Sequence, residues 1–395
     1  MDFQREQLKE LVKRVKEPRR FIQVIYGPRQ VGKTTMVLQL IKKNLIHCHF
    51  TSGDLIRSNE QVWIEEQWNI ARLKLKQNGK KEFLLIIDEI QKIRNWSEIV
   101  KREWDFDTNN KIPIKVILLG SSRVILQQVL TESLAGRFET IYLGHWNFNE
   151  MKKAFGFNEE QFAWFGSYPG SANLIDDERR WKQYIRDALI ETSISKDVLM
   201  LTRVDKPALM KRLFEIGCLY SGQIISFNKI LGHLQDAGNT TTLSHYLSLL
   251  DNAGLLAGIE RYSTSKLRQR ASIPKFQVHN TALISAQNID RFDKITSQPE
   301  KWGRMVESAI GAHLLNYSIT NQINLYYWKS SNDEVDFVLL KDNKLIGIEV
   351  TTSASHGTSG LSAFKKQFNP HKIYLIGKSG IQWKEFVNIK PMDLF

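Results

Sequence analysis

Eight consecutive residues near the N-terminus, Gly27-Pro28-Arg29-Gln30-Val31-Gly32-Lys33-Thr34, carry the spacing G-x-x-x-x-G-K-[ST]. The chemistry served by that spacing is the binding of a polyphosphate. Glycines let backbone N–H groups turn inward around one anion, and the helix that follows offers its positive end. Lys33 would reach the β- and γ-phosphates of a nucleoside triphosphate, and the Thr34 hydroxyl would ligate Mg²⁺. Thr35 extends the set into the first turn of that helix. A chance match would arise in roughly 1% of chains this long, so the loop is read as a nucleotide site.

Two acids suit the same chemistry. Phe83-Leu84-Leu85-Ile86-Ile87-Asp88-Glu89 is an apolar run that ends in carboxylates. Asp88 is placed to hold the water shell of Mg²⁺, and Glu89 to act as general base toward an attacking water. The competing reading makes both acids helix caps. A second apolar run ends in Gly120-Ser121-Ser122-Arg123, where Ser121 or Ser122 would sense the γ-phosphate or serve as an ordinary N-cap. Arg137, in Ser133-Leu134-Ala135-Gly136-Arg137, is either an arginine finger from the same or a neighbouring subunit or a surface arginine.

Stepping along the chain supplies the elements that would hold these residues. Residues 2–17 have the apolar spacing of an amphipathic helix, ended at Glu17-Pro18. Phe21–Tyr26, Ile46–Phe50, Phe83–Ile87, Ile114–Leu119 and Glu139–Leu143 read as buried strands. Thr35–Lys43 (with Val37, Leu38 and Ile41 inward), Glu60–Gln77 and Arg123–Leu130 read as helices between them, with a turn at Asn78-Gly79. This alternation describes a doubly wound α/β sheet. After residue 148 the pattern turns helical to about 216, broken at Gly166–Gly170, and strands return at Tyr326–Leu340 and Lys344–Val350 around an Asp342-Asn343 turn.

Laid side by side, the motifs resemble those of the AAA-type, STAND-like P-loop ATPases of bacteria and archaea with a C-terminal region of unknown function. The matching segments are Gly27 to Thr35, Ile87-Asp88-Glu89-Ile90-Gln91, Gly120-Ser121-Ser122, Leu134-Ala135-Gly136-Arg137 and Gly166-Ser167-Tyr168-Pro169. The resemblance implies ATP as the nucleotide, a AAA core over 1–148, a helical lid over 149–205, a winged helix over 206–290 and a PD-(D/E)XK nuclease-like α/β domain over 291–395. It favours Arg137 as the finger and sets Tyr168-Pro169 over the nucleotide. In the nuclease-like part it implies a second, metal-binding set of Glu307, Asp336 and Glu349. That fold places a lysine two residues after the second acid, where this chain has Thr351, so an inactive domain is the expected state unless Lys329 or Lys344 substitutes.

Between these parts, Ser226–Leu234 and Thr240–Asn252 read as helices joined at Gly238, followed by a strand at Gly254–Tyr262 and a basic hairpin around Lys266–Arg270. In a DNA reader Thr242, His245 and Ser248 would face bases, and Lys266, Arg268 and Arg270 would contact phosphates. A protein-binding module is the alternative, and the absence of Lys and Arg from the second helix weakens base readout.

Composition frames the partners. The net charge of +13 favours phosphate backbones or an acidic protein surface, but its clusters at Lys13–Arg20, Lys74–Lys81, Lys206–Arg212 and Lys266–Arg270 also suit solvated faces. Two cysteines exclude a disulfide framework, and no apolar run is long enough for a membrane span. The expectation is a cytoplasmic, Mg²⁺-dependent ATPase that couples ATP state to a macromolecular partner, nucleic acid or protein, and oligomerises if Arg137 acts in trans. An ATP-regulated nuclease and a nucleotide-gated scaffold with little turnover stay open.

Overall fold

Strands that are apolar on both faces are stable only where helices cover both sides of the sheet. The computed structural model, which describes residues 3–55, 60–77, 79, 81–121, 134–199, 204–233, 239–351 and 359–395, has that arrangement in its first compact unit, Met1–Leu143. β1 (Ile22–Tyr26), β2 (Cys48–Ser52), β3 (Phe83–Asp88), β4 (Ile114–Gly120) and β5 (Phe138–Tyr142) form a parallel sheet in the order β2-β3-β4-β1-β5.

Side chains alternate across each strand, so each strand feeds two cores. Leu84, Ile86, Ile117 and Leu119 meet α1 (Gln7–Lys16) and α2 (Lys33–Lys42) through Leu8, Leu11, Val15, Met36, Val37 and Leu40. Phe83, Leu85, Ile87, Val116 and Leu118 meet α3 (Glu60–Gln77) and α4 (Trp96–Asn109) on the other face. The inward stripe of α2 falls at Lys33, Met36, Val37 and Leu40, the i, i+3, i+4, i+7 positions. Leu38, expected inside, is 44% exposed, because a step of one residue from Val37 turns the side chain about 100° round the helix.

The second unit, Gly144–Leu199 with Arg203–Phe395, opens with helices Phe148–Phe155 and Glu159–Phe165. Each starts with a capping box, Asn147 with Glu150 and Asn158 with Gln161, which satisfies backbone donors a helix start leaves open. Helices Phe227–His233 and Thr240–Asn252 then precede β6 (Leu256–Ile259) and β7 (Lys275–Val278), an antiparallel pair. The basic segment between these strands, expected as a hairpin, is a short helix, Lys266–Arg270. Ser265 to Ser272 close it through the Gln269–Ser265 and Ala271–Leu267 backbone hydrogen bonds.

A four-stranded sheet completes this unit: β8 (Asn324–Ser330), β9 (Asp333–Lys341), β10 (Lys344–Val350) and β11 (Lys372–Ile376), in the order β11-β10-β9-β8. β8, β9 and β10 are antiparallel, and β11 runs parallel to β10. The β9–β10 turn places Asp342 and Asn343 at φ 47° and 62°, as a two-residue hairpin of this hand requires. Helix Pro299–Asn321 covers one face through Val306, Ile310 and Leu314, and helix Ser359–Phe368 the other through Leu361 and Phe364. Ser122, Ser133, the expected helix at 123–130, Asn78 and Gly238 lie outside the described residues. Among the described residues no helix is long and apolar enough to cross a membrane.

Candidate functional site

The loop from Gly27 to Gly32 is shaped by residues that a Cβ or an ordinary φ would not permit. Gly27 has φ 154°, and a Cβ there would stand 2.0 Å from the Leu143 carbonyl oxygen. The Leu143 N–H in turn donates to the Tyr26 carbonyl at 2.8 Å, so the loop is fastened to the end of β5. Gln30 (φ 59°) and Gly32 (φ 93°) take left-handed torsions, while Pro28 and Val31 are buried beneath. A Cβ on Gly32 would meet no atom within 4 Å, so the loop encloses open space where α2 begins. Arg29 is half-buried and Thr35 exposed. The Lys33 side chain is 6% exposed and its Nζ donates to the Gly27 and Pro28 carbonyls at 2.9 and 2.7 Å. The ammonium therefore lies against the loop at the spot where phosphates would enter.

Beside it stand two groups from distant parts of the chain. The Thr34 hydroxyl donates to Asp88 Oδ2 at 2.6 Å, and the Glu89 N–H donates to Asp88 Oδ1 at 2.9 Å. Burial pushes the Asp88 carboxyl up; the Thr34 and Glu89 N–H hydrogen bonds and the Lys33 charge pull against it, while the Glu89 charge adds to the rise. A hydroxyl and a carboxylate oxygen in contact beside the loop form a hard-oxygen donor set that fits Mg²⁺. Glu89 sits at φ 51° and ψ 38°, a strain on the order of 1–3 kcal/mol for a residue with a Cβ. Its Oε2 accepts from Gln91 Nε2 at 2.7 Å, and the same nitrogen donates to Ser121 Oγ at 3.0 Å. Gln91 and Ser121 are 4% and 1% exposed, so this bridge is shielded from water. Gln91 is the residue that reading the motifs for chemistry passed over; its signal was its place two residues after the acid.

Arg137 is elsewhere. It precedes β5 and its carbonyl accepts from the Ile22 N–H, at the end of the sheet where β1 and β5 start. The P-loop follows the other end of β1, roughly 17 Å along a strand of this length. The guanidinium holds Asp105 in a two-pronged ion pair at 2.7 and 3.0 Å. A finger acting on the phosphates of its own chain is thereby excluded.

The second expected site is built differently from the expectation. Asp336 and Glu349 lie on adjacent strands, and Glu307 comes from helix Pro299–Asn321. Asp336 and Glu307 converge on a lysine, with Glu349 close by. Lys275, the first residue of β7, is fully buried and places its Nζ 2.8 Å from Asp336 Oδ1, 3.1 Å from Glu307 Oε1 and 3.9 Å from Glu334 Oε1. The Val350 N–H donates to the other Asp336 oxygen at 2.8 Å. Burial pushes Glu349 up to about 8 and Glu307 up to about 7, with Lys275 opposing both. Glu349 Oε2 is buried with no hydrogen-bond partner, as suits a carboxyl that resists ionisation. Among the described residues no group of three or more His, Cys, Asp or Glu is placed to hold a metal ion. Lys329 pairs with Glu334 at 2.9 Å and Lys344 starts β10, opposite Lys341. Neither replaces the missing lysine; Lys275, from a strand pair assigned to another domain, occupies the centre.

Two further expectations change. Tyr168 is 3% exposed with its ring edge-on to His145 at 5.1 Å, while the Ser167 N–H donates to Asn280 Oδ1 at 3.1 Å. Tyr168 is thus a core residue of the second unit, and its phenol is not available to cover a nucleotide. In helix Thr240–Asn252, the Thr242 N–H and hydroxyl both donate to the Asn239 cap, at 2.8 and 3.0 Å. His245 and Ser248 remain exposed. Cys48 and Cys218 are free thiols, and burial pushes Cys218 up to about 12.

Comparison with known proteins divides the chain in three. Residues 19–152 match a family model described as an AAA domain, residues 157–293 a domain of unknown function (DUF8612), and residues 302–392 a domain of unknown function (DUF4143). Uncharacterized protein MJ1544 of Methanocaldococcus jannaschii is 25% identical over 380 residues, covering 89% of this chain and 80% of the relative. Uncharacterized protein Rv2008c of Mycobacterium tuberculosis is 25% identical over 341 residues, covering 85% and 71%. Among solved structures, the Thermotoga maritima RuvB Holliday junction branch migration motor overlays with a TM-score of 0.32 at 20% identity, over 64% of this chain and 89% of that one. That overlay is too loose to carry a functional argument.

Proposed function

We propose, on the premise that residues 19–152 are an AAA-type P-loop ATPase domain, that this chain binds ATP with Mg²⁺, hydrolyses it, and passes the nucleotide state to a macromolecular partner. The observation that carries the reading is the 2.6 Å contact of Thr34 Oγ1 with Asp88 Oδ2 beside the Lys33 ammonium. Phosphoryl transfer to water asks a protein for positioning and charge neutralisation, with little covalent chemistry. Mg²⁺, when bound, would supply neutralisation of the phosphate charge. The loop N–H groups and Lys33 hold the phosphates, and Thr34 and Asp88 provide oxygens for the ion. Glu89 orients water and takes its proton. Ser121 acts through Gln91, which aims the Glu89 carboxylate. Arg137 would serve only a neighbouring subunit, after leaving Asp105. The basic C-terminal half and exposed His245 and Ser248 favour a nucleic-acid partner met mainly through phosphates, and two free thiols suit a reducing cytoplasm.

The nuclease alternative is the less favoured reading, since Lys275 pairs with Asp336 and Glu307 and, among the described residues, no group of three or more His, Cys, Asp or Glu is placed to hold a metal ion. Its check is incubation of supercoiled plasmid with Mg²⁺ or Mn²⁺, where the expected outcome is no nicking. The ATPase reading is tested by equilibrium binding of a fluorescent ATP analogue and by steady-state phosphate release. Lys33→Ala is expected to lose binding by about two orders of magnitude or more, since it removes a charge-assisted contact to the phosphates. Glu89→Gln is expected to bind ATP like the wild type and to turn over at least about a hundredfold more slowly. Unchanged turnover in Glu89→Gln would remove Glu89 from its role.

A further inference from the structure

At the β8 edge of the four-stranded sheet, next to the buried acid–lysine cluster, the surface changes sign. A pocket of about 360 Å³ is lined by Arg261, Arg268 and Lys329, with Ser272, Ile273 and Tyr327 among its walls, and by no Asp or Glu among the described residues. Its frame is fixed by hydrogen bonds. The Arg261 N–H donates to Ser272 Oγ at 3.0 Å, the Tyr327 N–H to the Glu260 carbonyl at 3.1 Å, and the Tyr327 hydroxyl to the Ile273 carbonyl at 2.5 Å.

Of the three cations, Lys329 is paired with Glu334 at 2.9 Å, but the two arginines are not there to satisfy neighbouring acids. Among the described residues, neither the Arg261 nor the Arg268 guanidinium pairs with a carboxylate. The nearby acids are committed elsewhere: Glu260 accepts from Gln269 at 2.6 Å, and Glu334 is shared by Lys329 at 2.9 Å and Lys275 at 3.9 Å. Two guanidiniums without acid partners at one opening, beside a lysine that shares its charge with Glu334, repel each other, and an anion with several oxygens relieves that repulsion. Arginine favours phosphate because its planar fork matches two oxygens at once.

The surroundings favour a run of phosphates over a single one. Lys266 and Arg270 stand exposed on the same short helix as Arg268 and form no ion pair among the described residues. We propose that the pocket of Arg261, Arg268 and Lys329 is a docking point for the phosphodiester backbone of a nucleic acid, continued along the Lys266–Arg270 helix. This deepens the reading of the second unit as the partner-facing one and does not rest on ATP hydrolysis.

The test uses the full chain without nucleotide and measures fluorescence anisotropy of labelled single-stranded and duplex oligonucleotides at about 50 and about 200 mM salt. Arg268→Glu is expected to weaken binding roughly tenfold or more at the lower salt, and Arg261→Ala/Arg268→Ala to flatten the slope of log affinity against log salt by about one per arginine. Lys9→Glu, the same charge change on an exposed face of α1, is expected to leave affinity within about twofold, since it removes no backbone contact. Circular dichroism and binding of the fluorescent ATP analogue confirm that each variant is folded, and report on the ATPase reading separately. Equal loss in Lys9→Glu and Arg268→Glu, or no loss in Arg268→Glu, overturns the proposal. So does a wild type that binds no oligonucleotide but is stabilised against heat by inorganic phosphate through these arginines, which would assign the pocket to a small phosphate.

Discussion

Glu89 holds a left-handed torsion that asparagine and glycine adopt far more readily, and a hydrogen-bonded bridge through Gln91 to Ser121 fixes its carboxylate. Removing the bridge leaves the cradle intact but lets the base wander. Gln91→Ala is therefore expected to lower kcat roughly tenfold or more while leaving KM for ATP nearly unchanged, a pattern steady-state kinetics resolves. A rise in KM with kcat preserved would make Gln91 a binding residue. The acid cluster makes a pH prediction. Glu349 and Glu307 have folded-state values of about 8 and about 7, above their ordinary range. A carboxyl raised in this way contributes stability below its ordinary value, and that stability is lost as pH rises through the folded value. The thermal midpoint of the second unit is expected to fall by several degrees between about pH 6 and about pH 9, and Glu349→Gln to flatten that fall. An unchanged slope in Glu349→Gln would assign the pH dependence elsewhere. At this scale the sequence was legible where chemistry is contiguous. Gly27 to Thr34 announces itself in eight residues, and Asp88 by ending an apolar run. Lys275 was illegible because its partners lie 32 and 61 positions away on other elements.

Among elements, the alternation of β3 between two cores explains why the doubly wound sheet could be read from apolar runs alone. The same reading erred where neighbours decide. The Lys266–Arg270 segment satisfies its backbone locally as a helix, although its place between two strands suggested a hairpin. For Arg137 the motif left open whether it would serve its own chain or a neighbour, because a motif gives no indication of which end of a sheet it occupies. β7 supplies the sharpest consequence at this scale, since it drives a lysine beneath β9. Lys275→Met leaves Asp336 and Glu307 without their cation, and is expected to destabilise the chain by about 3–5 kcal/mol in chemical denaturation. Lys329→Met removes an exposed ion pair with Glu334 and is expected to cost about 1 kcal/mol or less. Equal costs would show that the buried ammonium is not what holds the sheet to β7.

For the whole molecule, the charge of +13 becomes informative once its clusters are separated by use. Arg14 is taken up by Glu10, Gln23 and Glu139, and Arg19 lies over Trp104 at 3.5 Å with its nitrogens on the Ile114 and Trp104 carbonyls. Lys211 pairs with Glu191. The cluster at Lys266–Arg270 has no such internal use among the described residues, which the charge count alone did not reveal. The proposed function turns on Glu89 completing a hydrolytic site on a sound nucleotide cradle. It is tested most directly by single-turnover phosphate release from Mg²⁺ and ATP, with protein in excess, for wild type, Lys33→Ala and Glu89→Gln. Release is expected from the wild type, none above background from Lys33→Ala, and retained ATP without release from Glu89→Gln. Wild-type protein that holds ATP and releases no phosphate, or Glu89→Gln that releases it at the wild-type rate, would contradict it.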